Sequence, residues 1–135
     1  MNVSDEVPEL HFPSGLPGFP DVRRFVLVRL GDEQSPFSVL RSLDEGVDVE
    51  FVVTHPGLFF PDYEPEIDDD IAGRLELRSA DDALLLVIVT VADPVAASTA
   101  NLLGPIVVNR HTRAAAQAVL GNSGYATREA LVPTG

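Results

Sequence analysis

Four carboxylates recur at alternate positions in the middle of the chain, a spacing that could hold a cation. They are Asp62, Glu64, Glu66 and Asp68. An EF-hand loop that started at the first of them would need glycine at its sixth position and a bidentate glutamate at its twelfth. Those positions hold Ile67 and Gly73. The spacing therefore predicts no calcium loop, and we expect either a solvated acidic rim or a docking surface for a basic partner.

Histidine and serine are the other residues whose chemistry could support catalysis. The three histidines, His11, His55 and His111, are far apart in the sequence and lack the spacing of a local metal-ligand pair. The serines lie in no nucleophile-elbow pattern. We therefore predict neither a metal site nor a catalytic residue. A small metal-assisted hydrolase that uses His55 with Asp62 is the enzymatic alternative.

Three aromatic residues, Phe59, Phe60 and Tyr63, stand beside the carboxylates. In a small β domain such rings usually belong to the core. Next to Glu64 and Glu66 they could equally form an interface with an aromatic anchor and an acidic edge. We take these five residues as candidates for binding a protein partner, with core packing as the alternative for two of the three rings.

The segment NLLGPIVVN, residues 101–109, combines two apolar runs with a glycine and a proline. Pro105 fixes its own φ, lacks an N–H and keeps Gly104 out of the helical region, so the segment must be extended or turned. Its terminal residues, Asn101 and Asn109, are further candidates for partner contact. The favoured alternative is that both asparagines satisfy buried backbone groups at strand ends.

Composition excludes several classes of function. The chain has 135 residues, which suits one domain, and no cysteine, so neither disulfides nor thiolate chemistry are available. Its net charge of −12 should repel nucleic acid and anionic lipid, and a basic protein is the natural complement. The start, MNVSDEVPEL, lacks the basic and apolar regions of a signal peptide. We expect a cytoplasmic protein.

Apolar runs between turn residues predict strands along the whole chain. The predicted strands are Arg24–Leu30, Phe37–Leu43, Val49–His55, Leu75–Arg78, Leu84–Val91, Thr99–Leu103 and Ile106–Val108. Eleven prolines and ten glycines among these runs are typical of an all-β domain. We predict a mainly β single domain over residues 1–135, with its core at roughly 8–131, in which an antiparallel sheet curls into a small open barrel.

One or two short helices complete this fold prediction. The acidic run Asp68–Asp70 suits the first turn of a helix that runs toward Gly73, because helix N-termini attract negative charge. Within residues 111–120, Thr112 as a cap and the alanines of RAAAQAVL favour a second helix on propensity alone.

Several separated segments together resemble the FliW family of flagellar assembly factors. They follow the family's order over nearly the full chain: FPSGLPGFP (residues 12–20), PFSVLRSLD (36–44), FVVTHPGLFFPDYEPEI (51–67) and NLLGPIVVN (101–109). The stretch after residue 109 is similar to the family's closing hairpin. The resemblance therefore implies a strand within residues 111–120, and we prefer it to the helix because tertiary context overrides propensity.

The resemblance implies a binding protein without a cofactor, and not an enzyme. Proteins similar to FliW bind the translational regulator CsrA away from its RNA site, as a non-competitive antagonist, and so relieve repression of flagellin translation. They also bind flagellin as a chaperone-like partner that competes with CsrA. We thus expect a chain that is monomeric when free, binds CsrA and flagellin, and contacts neither nucleic acid nor membrane. A stable structural subunit of an assembly is the other alternative.

Overall fold

A computed structural model describes residues 9–13, 15–16, 21–29, 36–43, 48–121 and 124–131. The strands of this described part are β1 (Glu9–His11), β2 (Arg24–Arg29), β3 (Phe37–Ser42), β4 (Glu50–Thr54), β5 (Ala83–Thr90), β6 (Thr99–Ala100), β7 (Ile106–Asn109), β8 (Ala115–Gln117) and β9 (Glu129–Ala130). The α-helix α1 spans Asp69–Arg74, and 3-10 helices span Pro56–Leu58, Ala80–Asp82 and Val95–Ala97.

The named strands pair antiparallel in one sheet. β1 to β5 are neighbours in chain order, and β9 pairs with β6. β5 also pairs with β6 through Val89↔Ala100 and with β7 through Leu86↔Ile106, and β7 pairs with β8. Ala100 and Ile106 are six residues apart in the chain, whereas their partners on β5, Val89 and Leu86, are only three residues apart. The Asn101 N–H still donates to the Ile88 carbonyl at 2.9 Å, so residues 102–105 are the ones that loop out of the β5 ladder.

The sheet curls until its first strand meets the chain that enters β8. His11 and Ala114 form an isolated bridge there, and the His11 N–H donates to the Arg113 carbonyl at 3.0 Å. A single bridge is not a ladder, so the sheet is not closed into a barrel. The predicted mainly β fold and antiparallel sheet are confirmed.

Within the described residues, three hydrophobic clusters pack against this sheet. The main core buries Leu10, Phe12, Leu16, Val22, Phe25, Leu40, Val53, Leu86, Ile106, Val108 and Ala115. The aromatic core buries Val87, Val89, Ala100, Leu102 and Leu131 beneath the partly buried Phe37, Val52, Phe59, Phe60, Tyr63 and Tyr125. The helix core buries Leu75, Val107 and Ala118 among the partly buried Ile67, Ile71, Leu77, Ala83, Leu85, Ala114 and Ala116.

β5 contributes to all three clusters because successive side chains of a strand point to opposite faces of the sheet. Leu86 and its even-numbered neighbours face the main core. On the other face, Ala83 and Leu85 belong to the helix core, whereas Val87 and Val89 belong to the aromatic core. A strand that is buried on both faces reads as a continuous apolar run, which is why β5 was predictable from the sequence.

The predicted helix after Asp68 is confirmed as α1. The Asp68 side chain accepts a hydrogen bond from the Ile71 N–H at 2.8 Å and so caps the helix. The predicted strand at Leu75–Arg78 is wrong. Glu76 has a φ of 56°, and the Leu77 N–H donates back to the Ala72 carbonyl, so these residues form a Schellman turn that ends the helix.

A strand and not a helix follows Asn109, as the family resemblance implied. Asn109 Oδ1 accepts hydrogen bonds from the His111 N–H at 2.8 Å and the Thr112 N–H at 3.2 Å. Its Nδ2 donates to the Leu75 carbonyl at 2.7 Å, at the end of α1. Arg113 then adopts a φ of 69° and directs the chain into β8. One buried amide thus joins the β7–β8 turn to the helix.

The remaining strand predictions differ from the structure mainly at their ends. β6 stops at Ala100, short of the predicted Leu103, and the sequence did not reveal the short strands β1 and β9. Leu30, Asp44, and Ser14 and residues 17–20 of the first matching segment lie outside the described residues. No helix in the described part of the chain is long and apolar enough to cross a membrane.

The two-sided burial of β5 predicts that truncating Leu86 is costly. Leu86 is 1% exposed, so Leu86→Ala removes buried methyl groups and leaves a cavity. We expect the free energy of unfolding to fall by about 2–5 kcal/mol, measured by urea denaturation. Leu58→Ala is the matched control because Leu58 is 61% exposed. Similar losses for the two variants would contradict this description of the core.

The Asn109 contacts predict a second local dependence. Asn109→Ala leaves the Leu75 carbonyl and the turn N–H groups without their partner, and we expect a loss of about 2–3 kcal/mol in unfolding free energy. Thr112→Ala, in the same turn, removes only an exposed bond from the Ala114 N–H. That control should lose about 1 kcal/mol or less. Equal losses would mean that Asn109 has no special structural role.

Candidate interaction surface

The two phenylalanines of the candidate site lie at the edge of the aromatic core. The 3-10 helix Pro56–Leu58 turns the chain after β4, and the Phe60 N–H donates to the Pro56 carbonyl at 2.7 Å. Phe59 stacks on Phe37 of β3, with ring centroids 5.9 Å apart. Both candidate rings are half-buried, so each packs against the core and still presents part of its surface to solvent.

Tyr63 packs in the same aromatic core and makes a partly buried hydrogen bond. Its ring packs edge-on against Tyr125, with centroids 4.8 Å apart, and its hydroxyl donates to the Leu102 carbonyl at 2.6 Å. Burial, together with the neighbouring Tyr125, raises the pKa of Tyr63 well above its ordinary value. The phenol therefore stays protonated and acts as a donor that ties residues 59–63 to the loop after β6.

The four carboxylates at alternate positions form an acidic rim, which we define as Asp62, Glu64, Glu66 and Asp68. All four are exposed, whereas the intervening Tyr63, Pro65 and Ile67 are half-buried. The segment therefore faces the core with one set of side chains and solvent with the other. Within the described part of the chain, no salt bridge involves a rim carboxylate. Among the described residues, ion pairs therefore leave the row of rim charges unneutralised.

A cleft of about 380 Å³ lies beside the acidic rim, between α1 and the first half of β5. Its apolar walls are Pro65, Ile67, Ala72, Leu77, Ala83 and Leu85. The exposed Arg78 and Ser79 complete the lining. The sequence did not reveal this cleft, because its wall includes the Schellman turn where a strand was predicted.

Both candidate asparagines bind backbone groups. Asn101 Oδ1 accepts hydrogen bonds from the Leu103 N–H at 3.1 Å and the Gly104 N–H at 3.0 Å, which turns the chain out of the β5 ladder. Asn109 is 3% exposed and binds the groups described above. These contacts support the favoured alternative for the two residues, and their contact with a partner stays a prediction.

The histidines have separate surroundings. His11 Nε2 lies 3.4 Å from Glu9 Oε2, and His111 Nε2 lies 3.0 Å from Asp82 Oδ1. Burial lowers the pKa of His55, so its neutral form is favoured. Across residues 9–13, 15–16, 21–29, 36–43, 48–121 and 124–131, no group of three or more His, Asp or Glu side chains is placed to hold a metal ion.

Comparison with known proteins matches nearly the whole chain. A family model described as FliW protein matches residues 1–131. The flagellar assembly factor FliW of Anoxybacillus flavithermus is 42% identical over 122 residues, which cover 90% of this chain and 82% of that protein. The FliW of Bacillus subtilis is 40% identical over 131 residues, covering 97% of this chain and 90% of that protein.

A solved structure agrees with these matches. The crystal structure of a flagellar assembly factor FliW superposes with a TM-score of 0.85 at 36% sequence identity, covering 99% of this chain and 90% of that one. Similarity in sequence and in fold therefore extends over the same elements. The chain belongs to the FliW family of flagellar assembly factors.

Proposed function

We propose that this flagellar assembly factor is a non-enzymatic cytoplasmic protein that binds two protein partners. In this proposal it binds CsrA as a non-competitive antagonist and so relieves repression of flagellin translation. It also binds flagellin, which competes with CsrA for it. The observation that carries the proposal is the family match over residues 1–131.

The charge of the chain supports a basic partner. A net charge of −12 favours association with a protein that has a basic RNA-binding surface. The acidic rim is the part of this charge that we assign to docking, because its carboxylates are exposed and lie outside the intramolecular ion pairs of the described residues. Such charges steer encounter and set specificity more than they add affinity.

The aromatic residues supply the apolar part of the proposed surface. Phe59, Phe60 and Tyr63 hold one side against the aromatic core and lie directly before or within the rim. Large rings that are already held by packing lose little conformational freedom on binding. We therefore assign them as anchors next to the Glu64 and Glu66 charges.

Competition between the two partners gives the proposed switch its direction. When flagellin is scarce, the chain is free to bind CsrA, and translation of flagellin proceeds. When flagellin accumulates, it occupies the chain by mass action and CsrA is released. The coupling is reciprocal, so CsrA must weaken flagellin binding by the same factor. Isothermal titration with purified CsrA and flagellin, each added in the absence and presence of the other, tests this reciprocity.

The rim assignment predicts the effect of charge reversal. Glu64→Arg combined with Glu66→Arg should weaken CsrA binding roughly tenfold at low salt and should reduce its salt dependence, because exposed interfacial charges act through a screened field. The control is Asp48→Arg combined with Glu129→Arg, which makes the same change in net charge at exposed positions elsewhere. Affinity that falls equally in both double variants would show a general charge effect and exclude the rim as the docking surface.

A further inference from the structure

We infer that the cleft between α1 and β5 docks a basic segment of a partner protein by taking up one of its apolar side chains. The inference rests on the proposed function in one respect, because the CsrA partner proposed above would supply the basic segment. Three properties of the cleft carry the argument, namely its apolar walls, its acidic border and its fixed frame.

The walls provide an apolar surface that the fold itself leaves incompletely covered. Ile67, Leu77 and Leu85 are only partly buried, although they pack against the fully enclosed Leu75 and Val107 of the helix core. The volume of about 380 Å³ lies at the lower end of the range for sites that bind ligands. An inserted side chain would remove these walls from water, which is the main favourable term in most associations.

The border of the cleft determines the charge of its occupant. Glu64 and Glu66 alternate with the wall residues Pro65 and Ile67, so one segment presents carboxylates outward and apolar groups inward. Residues 62–82 contain nine acidic residues and two arginines. The surrounding field is therefore negative, and it favours a segment with basic side chains on both sides of its apolar anchor.

Three arginines lie near the cleft, and the nine acidic residues of 62–82 outnumber them. Arg74 forms an ion pair with Asp70 at 2.9 Å. Arg78 lines the cleft with an exposed side chain, and Arg110 Nη2 donates to the carbonyl of the wall residue Ala83 at 3.2 Å. A second copy of the chain is a poor occupant, because two molecules of charge −12 repel each other.

The frame of the cleft is set before any partner arrives. The Schellman turn fixes Leu77 through its bond to the Ala72 carbonyl, at 2.9 Å. Asp82 holds the backbone of Arg78 and Ser79 through bonds of 3.0 and 3.1 Å. A site whose walls are already ordered loses less entropy on binding than one that must form around its ligand.

Peptide binding tests the stated chemistry of the occupant. The probes are three fluorescein-labelled peptides of equal length. The first alternates leucine with arginine, the second leucine with glutamate, and the third serine with arginine. We expect the leucine–arginine peptide to bind the intact chain roughly tenfold more tightly than either of the others in fluorescence anisotropy. Equal binding of the serine–arginine peptide would overturn the inference, because charge alone would then explain binding. Equal binding of the leucine–glutamate peptide would overturn the basic occupant.

Filling the cleft tests the location. Ala72→Leu enlarges a wall residue without lowering helix propensity much, and it should weaken the leucine–arginine peptide roughly tenfold. Ala97→Leu, at an exposed position of the 3-10 helix Val95–Ala97, should leave the affinity unchanged. NMR methyl shifts of Ala72 and Leu85 in the unmodified chain give a second readout that needs no variant. If these methyl shifts do not change at a saturating concentration of the leucine–arginine peptide, the cleft is excluded as its binding site.

The outcomes separate this inference from the proposed function. Suppose that CsrA binds the Ala72→Leu variant as it binds the unmodified chain, and that the leucine–arginine peptide does not bind. The cleft is then overturned while the proposed function stands. If the peptide binds in the cleft and neither CsrA nor flagellin binds the chain, the cleft is supported and the proposed function fails.

Discussion

The fold depends on keeping water away from both faces of β5. One face of this strand is covered by the curl of the sheet, whose main core gathers residues from β1–β5, β7 and β8. The other face has no second sheet over it in the described part of the chain. It is covered instead by two pieces of the β4–β5 connection, the aromatic residues at 59–63 and the helix α1, together with Leu102, Tyr125 and Leu131 from later in the chain. The long connection is thus part of the core.

That requirement gives the surface its chemistry. A chain that covers apolar strands with alternate residues must turn its other residues toward solvent, and in residues 62–68 these are carboxylates. The helix that follows can be short because Asp68 caps its start and a Schellman turn with Glu76 at positive φ ends it. The cleft lies over β5, where the segment with Pro65 and Ile67 meets α1. The acidic rim and the cleft are therefore adjacent for a structural reason.

Sequence reasoning succeeded where local pattern and tertiary packing agree. β5 was predictable because burial on both faces leaves an uninterrupted apolar run, and α1 because the acidic run Asp68–Asp70 suits a helix N-terminus. Leu75–Arg78 was misjudged because its apolar alternation serves a turn in which glutamate occupies the position that glycine usually holds. The segment β8 is a strand although its alanines favour a helix. Ala115 is 1% exposed, and small side chains suit a strand pressed between two clusters.

Charge pairing follows from the same architecture. Strands place opposite charges across from one another, as with Arg41 and Glu50, whose side chains meet at 2.6 Å on neighbouring strands. Residues 62–68 belong to no strand of the described sheet, so the rim has no cross-strand position from which an arginine could approach it. A basic partner would supply the opposite charge that no strand of the described sheet provides there. This gives a physical reason to expect salt-sensitive association at the rim and not at the paired charges of the sheet.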